Sequence, residues 1–210
     1  MTTISRRDVL AGLAASSAAS IVKAFGERPQ TSAASKEAFL SGDERSQNAD
    51  ALRSYFAANA PQLLRAPDGI LKHPSVSPSL PGKRYSTQLW DWDTLWTSQG
   101  LFRLAALEHD ESLKQKLCEH VSGSLLNFLD HASAEGRIPI LMMPSDPDPL
   151  RVLGTGAKSK NQAKPVFGQL GLLAADQRGE VGWLASHFDT ILRFYDEWTA
   201  HNTSSIGLLV

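Results

Sequence analysis

Three of the five tryptophans and two carboxylates fall inside one short stretch, Tyr85-Ser86-Thr87-Gln88-Leu89-Trp90-Asp91-Trp92-Asp93-Thr94-Leu95-Trp96. Aromatic faces cover the C–H patches of sugars, while acids and amides accept from and donate to their hydroxyls. A Trp/Asp cluster at the mouth of a helix therefore carries both kinds of group a polyol needs. Trp90 and Asp93, three apart, can point the same way if the helix begins between them. Asp91 and Asp93, two apart, cannot face one site from a regular helix, so they do not form the carboxylate pair of a glycosidase. The same residues would equally serve a tryptophan core, with Asp91 or Asp93 capping the first helical amides.

Two further blocks follow. Asn161-Gln162-Ala163-Lys164-Pro165 stands before an apolar segment, and Phe194-Tyr195-Asp196-Glu197-Trp198 precedes Ser205-Ile206-Gly207-Leu208. Trp90-Asp91-Trp92-Asp93-Thr94, with Tyr85 and Gln88 before it, resembles the W-x-W-D-[ST] motif of glycoside hydrolase family 63. The likeness extends to mannosylglycerate hydrolases, oligosaccharide α-glucosidases and, more distantly, trehalases. The second block is similar to the N-Q-[SA]-x-P opening of an inner helix in that group, and order and spacing match over roughly residues 50 to 210.

The resemblance implies about half of an (α/α)6 toroid, with Tyr85, Gln88, Trp90, Trp92, Asp93, Asn161 and Gln162 lining the sugar pocket. It implies inversion of an α-linked glucoside or mannoside by an Asp acid and a Glu base, which must stand ~6.5–9.5 Å apart to admit water. The family's acidic Asp follows the stretch aligned with Ile206-Gly207-Leu208, and its base lies further on, whereas this chain stops at Val210. The expectation is therefore a truncated glycosidase, inactive alone, that keeps a carbohydrate ligand. The alternative is a non-catalytic carbohydrate-binding or interaction protein derived from that fold. No catalytic residue, cofactor or metal is assigned. The six histidines show no ligand pairing with acids at helical spacing.

The elements that must position these residues read as all-α. Ala49 to Leu64 is a plausible helix interrupted by Pro61, and Pro61, Pro67, Pro74, Pro78 and Pro81 impose an extended, turn-rich path after it. Asp93 to Leu107 reads as a helix. Glu111 to Ala132 is the clearest, with Leu113, Leu117, Val121, Leu125, Phe128 and Leu129 on one stripe and Cys118 beside it as a small core residue. Gly136 to Lys160 reads as a long loop with a Gly154-Thr155-Gly156 turn at the pocket rim. Asn161 to Asp176 returns to helix, with Gly168 and Gly171 leaving a smooth packing face. Val181 to His201 is the last helix, and no strand-period segment competes.

Composition excludes several classes. With 21 Lys+Arg against 22 Asp+Glu the formal net charge is -1, so nothing draws the chain to a phosphate backbone. A single cysteine excludes an internal disulfide and a thiolate cluster. The N-terminus differs from the rest: Ser5-Arg6-Arg7 followed by the Ala-rich run Val9 to Val22 looks like a twin-arginine export signal, with Val22-Lys23-Ala24 as its cleavage site. The run is too short to span a bilayer. Residues 1–24 thus read as signal, 25–48 as linker and 49–210 as a partial glycosidase-like domain. The expected location is periplasmic or extracellular, with no nucleic-acid partner and no membrane attachment after cleavage. The open edges of a half-toroid are expected to favour self-association.

Overall fold

Tertiary structure follows from the apolar stripe of the third helix, as a computed structural model describes it for residues 41–154 and 161–204. The expected export signal, the expected linker up to residue 40, the turn beyond Gly154 and the Ser205–Leu208 stretch lie outside the described residues. All described residues but Ser41 belong to one unit, Gly42–Val210. They are mostly helical, of the all-α class: α1 (Gly42–Asn59), α2 (Asp91–Glu108), α3 (Glu111–Asp130), α4 (Phe167–Arg178) and α5 (Phe188–His201).

Helices α2 and α3 form a hairpin closed by two residues. His109 takes the left-handed conformation at φ 52° and its N–H reaches back to the carbonyls of Ala105 and Ala106. Asp110 then accepts the N–H of Leu113 at 2.9 Å and caps α3. All six residues of the expected stripe are buried, and Leu117, Val121, Leu125 and Phe128 are wholly so. Phe128 packs on Phe167 of α4, and Phe167 on Phe194 of α5, each at 5.0 Å between ring centroids. Gly168 and Gly171 do provide close approach. A Cβ at Gly168 would stand 3.0 Å from the Tyr195 hydroxyl, and one at Gly171 3.0 Å from Leu184. Cys118 packs partly buried against this core, and burial pushes its thiol up.

Several boundaries differ from expectation. Helix α1 begins at Gly42, inside the expected linker, and ends at Asn59, where a 3-10 turn, Ala60–Leu63, takes Pro61 in its first positions. A proline there loses no helical hydrogen bond. Arg53 ties α1 to the end of α2 through Glu108 and the Leu107 carbonyl. The last helix is two pieces, a 3-10 turn over Gly182–His187 and then α5.

Strands occur where the sequence predicts none, each only two residues long. β1 (Leu64–Arg65) pairs antiparallel with β2 (Ser75–Val76), and β3 (Leu89–Trp90) with β4 (Leu141–Met142). The proline-rich approach is extended as predicted, and α3 fixes it. Asn127 Oδ1 accepts the His73 N–H at 3.0 Å and its amide donates to the His73 carbonyl at 2.9 Å. Ser124 Oγ accepts the Val76 N–H at 2.9 Å. Gly123 lets this chain lie flat on the helix, since a Cβ would meet the Pro74 oxygen at 2.1 Å.

Candidate functional site

The long loop after α3 supplies the site's backbone frame. Residues 138–142 run as the middle strand of a short antiparallel ribbon. On one edge Leu89 faces Met142, Trp90 faces Leu141, and the Asp91 N–H donates to the Ile140 carbonyl at 3.1 Å. On the other, the Ile140 N–H donates to the Asn161 carbonyl and the Ala163 N–H to the Ile138 carbonyl, both at 2.8 Å. Pro139 lies opposite Gln162 in the same pairing. The first two motif blocks, about 70 residues apart in sequence, thus flank one segment.

That pairing overturns the expected helix start at Asn161. Residues 161–163 are held extended by the ribbon, Pro165 follows, and α4 begins only at Phe167. Asn161 is exposed and donates its amide to the Val152 carbonyl at 2.8 Å. Gln162 is buried, 6% exposed, and donates to Glu197 Oε2 of α5 at 2.5 Å.

Asp91 takes a role that local reading misses. Its place in the sequence suggests a cap, yet Trp90 occupies the N-cap position without a side-chain bond. Asp91 is instead wholly buried and its Oδ2 accepts the backbone N–H of Lys164 at 2.6 Å. Its Oδ1 finds no partner among the described residues. Burial raises the carboxyl above its ordinary value, against the pull of the Lys164 and Trp92 amides. No spacing rule finds this bond, because its partner is a main-chain amide far along the sequence. Asp93, the other cap candidate, is exposed in the first turn of α2.

The third block joins the second as firmly. The Tyr195 hydroxyl donates to the Pro165 carbonyl at 2.9 Å and accepts the Gly168 N–H at 3.1 Å. Burial raises its phenol. Glu197, at 10% side-chain exposure, also meets Arg137 Nε at 3.8 Å and His201 Nδ1 at 3.2 Å. Sequence reasoning does not select Glu197, Arg137 or His201 as site residues. Their only signal is the position of Glu197 inside the third block.

The aromatic residues divide into two sets. Tyr85 packs edge-on against Trp90 at 5.5 Å, and the Trp90 indole N–H donates to Gln88 Oε1 at 2.7 Å. Tyr85 stands at φ 69°, uncommon for a residue with a Cβ, and Arg84 lies 4.9 Å over its ring. Trp92 and Trp96, one turn apart on α2, also meet edge to face at 5.8 Å while staying 48% and 52% exposed. Of the seven predicted site residues, Tyr85, Gln88 and Trp90 form one cluster. Trp92 and Asp93 are presented on the first turn of α2, and Asn161 and Gln162 hold the ribbon's far edge.

The exposed rings of Trp92 and Trp96 share the start of α2 with the exposed Asp93 carboxylate, groups of the two kinds that can contact a polyol. Among the described residues no group of three or more His, Cys, Asp or Glu side chains stands where it could hold a metal, and no helix is long and apolar enough to cross a membrane. No protein-family model matches the chain, and no curated protein matches it either.

Proposed function

We propose that this chain forms the carbohydrate-contacting wall of an inverting glycosidase of the (α/α)6 toroid type, with α-linked glucosides or mannosides as its ligand class. One observation carries the reading: three sequence blocks that resemble that family's motifs converge through side-chain bonds, Asp91 to the Lys164 amide and Gln162 to Glu197. Residues that merely filled a helical core would not need charged and amide groups at these joints. The α2–α3 hairpin and the α4–α5 pair then stand as successive hairpins of the ring. Tyr85, Trp90, Trp92 and Asp93 face the sugar, while Asn161 and Gln162 brace the wall. The N-terminal arginine pair supports delivery to the periplasm or beyond.

Inversion requires an acid and a base separated by a water. Asp93 is exposed, but the other two described carboxylates at the wall are engaged: Asp91 is buried on a main-chain amide and Glu197 is bonded to Gln162. They hold the wall rather than transfer protons. The second reading, a non-catalytic carbohydrate-binding protein, is favoured by the same engagement. Tryptophan fluorescence of the full chain, titrated with methyl α-glucoside, methyl α-mannoside and maltose, tests both. The expected result is a saturable change for at least one sugar with no release of reducing sugar. Absence of any saturable response refutes the carbohydrate reading, and turnover lost with Asp93→Asn refutes the assignment of a purely binding wall.

A further inference from the structure

Beside the aromatic cluster lies a polar recess that the proposed function does not use. Its lining includes Arg65 of β1, Asp68, Ser75 of β2, and Ser86, Thr87 and Gln88. Ser75 and Ser86 are buried and form the floor, whereas Asp68 and Thr87 are exposed at the rim. The recess holds only ≈ 10 Å3, about one water or one hydroxyl. Asp68 and Thr87 also border a wider open depression of ≈ 510 Å3 against Met143 and Ser145.

The walls are fixed. Gly69, at φ +54°, presses against the Pro144 carbonyl, which a Cβ would meet at 2.0 Å. The Ile70 N–H donates to that same oxygen at 3.0 Å. Ser77 Oγ donates to the Ser86 carbonyl at 3.0 Å and anchors the opposite side.

The side chains in this recess are unspent. Arg65 and Asp68 line one space without forming an ion pair with each other or with any other described residue. The Ser75, Ser86 and Thr87 hydroxyls likewise have no partner among the described residues. Gln88 Oε1 is taken by Trp90, which leaves its amide N–H groups for a ligand. A guanidinium and a carboxylate that do not neutralise one another offer donors on one side and an acceptor on the other. Vicinal hydroxyls, each donor and acceptor at once, satisfy both. The opposite charges disfavour a ligand of either net sign.

We propose that this recess and the open depression at its mouth form a second carbohydrate subsite: a neutral ring rests in the depression and its vicinal diol reaches in, one hydroxyl to Asp68 at the rim and the other into the recess toward Arg65 and the serine floor. It rests on the carbohydrate reading above and makes the ligand at least a disaccharide: one ring on the Tyr85/Trp90 aromatics and the next past Gln88 in the depression.

The test compares methyl α-glucoside with maltose, and methyl α-mannoside with α-1,2-mannobiose, by amide chemical-shift titration of the full chain. The variants are Arg65→Gln and Asp68→Asn, each first checked for an unchanged melting temperature. Asp68 is exposed at the rim and Arg65 is half-buried on β1, so one failing to fold leaves the other informative. In the wild type the disaccharide should bind more tightly than its monosaccharide glycoside. Either variant should weaken the disaccharide by about tenfold or more while leaving the monosaccharide unchanged. Disaccharide binding unaffected by both variants overturns the subsite while the carbohydrate reading stands. A preference for glucuronide over maltose that Arg65→Gln abolishes overturns the neutral-diol assignment. No binding of any sugar by the wild type overturns the subsite and the carbohydrate reading together.

Discussion

Asp91 should make the protein's stability respond to pH in a direction opposite to that of an ordinary salt-bridged aspartate, and replacing it by asparagine should remove that response. The carboxylate is wholly buried, accepts the Lys164 amide at 2.6 Å and leaves Oδ1 without a partner among the described residues. Burial dominates and raises its proton affinity in the folded state. The folded chain therefore binds this proton more tightly than the unfolded chain, whose carboxyl titrates near ~3.9. Stability from this group is greatest below that value and is lost as pH rises through the raised folded value. Each tenfold difference in proton affinity contributes ~1.36 kcal/mol. The Asp91→Asn side chain keeps an oxygen for the Lys164 N–H but carries no charge, so its contribution is flat. Urea melts followed by tryptophan fluorescence, from pH 3.5 to 7.5 for both proteins, read the difference directly. The wild type should gain on Asp91→Asn as pH falls. A control, Asp91→Ala, leaves the Lys164 N–H without its acceptor and should cost ~1–3 kcal/mol at low pH, where the wild-type contribution is greatest, and less as pH rises. A difference that is flat, or that favours the wild type as pH rises, refutes the reasoning. It would mean that the Lys164 amide outweighs burial.

Four other outcomes are expected. Gly136→Ala should destabilise by ~1–3 kcal/mol in the same urea assay, because its φ of +96° is strained for alanine and a Cβ would sit 2.5 Å from the Arg193 backbone. Trp92→Ala and Trp96→Ala, both half exposed, should each weaken sugar binding severalfold while moving the melting temperature little; an unchanged affinity removes α2 from the site. Phe188 and Leu192 stand exposed one turn apart on α5, as Leu52, Tyr55 and Phe56 do on α1, so sedimentation should show self-association that Phe188→Glu with Leu192→Glu reduces. Replacing Arg6 and Arg7 by lysine should hold the precursor in the cytoplasm, and unchanged delivery in a cell fractionation would refute the export reading.

Legibility in the sequence tracks how local the cause is. The α3 stripe is a local signal: each step of three or four returns an apolar residue to one face, and all six predicted positions are buried. The capping of α3 by Asp110 and the packing role of Gly168 and Gly171 are equally short-range in kind. The start of α4 is misread from sequence because residues 161–163 pair with 138–140, and no window around Asn161 contains that partner. The aromatic half of the candidate site is legible from residue type, since Tyr85, Gln88 and Trp90 do cluster. Its polar joints are not. A carboxylate at the first position of a helix looks like a cap, and only the arrival of Lys164 from across the fold turns Asp91 inward.

The ribbon also orders the events of folding. Its middle strand comes from residues 138–142, while its edges come from residues before α2 and after the long loop. The α2–α3 hairpin can form first, because its two-residue closure costs little chain entropy. Neither edge has a partner until the middle strand has been laid across that hairpin, and the Asp91–Lys164 bond must wait for all three. The aromatic cluster is therefore assembled last, from parts that stay unpaired until the core exists. A nascent or partly unfolded chain would keep its helices and lose the candidate site first. Amide exchange should accordingly find the 89–91, 138–142 and 161–163 hydrogen bonds opening together, ahead of those in the middle of α3.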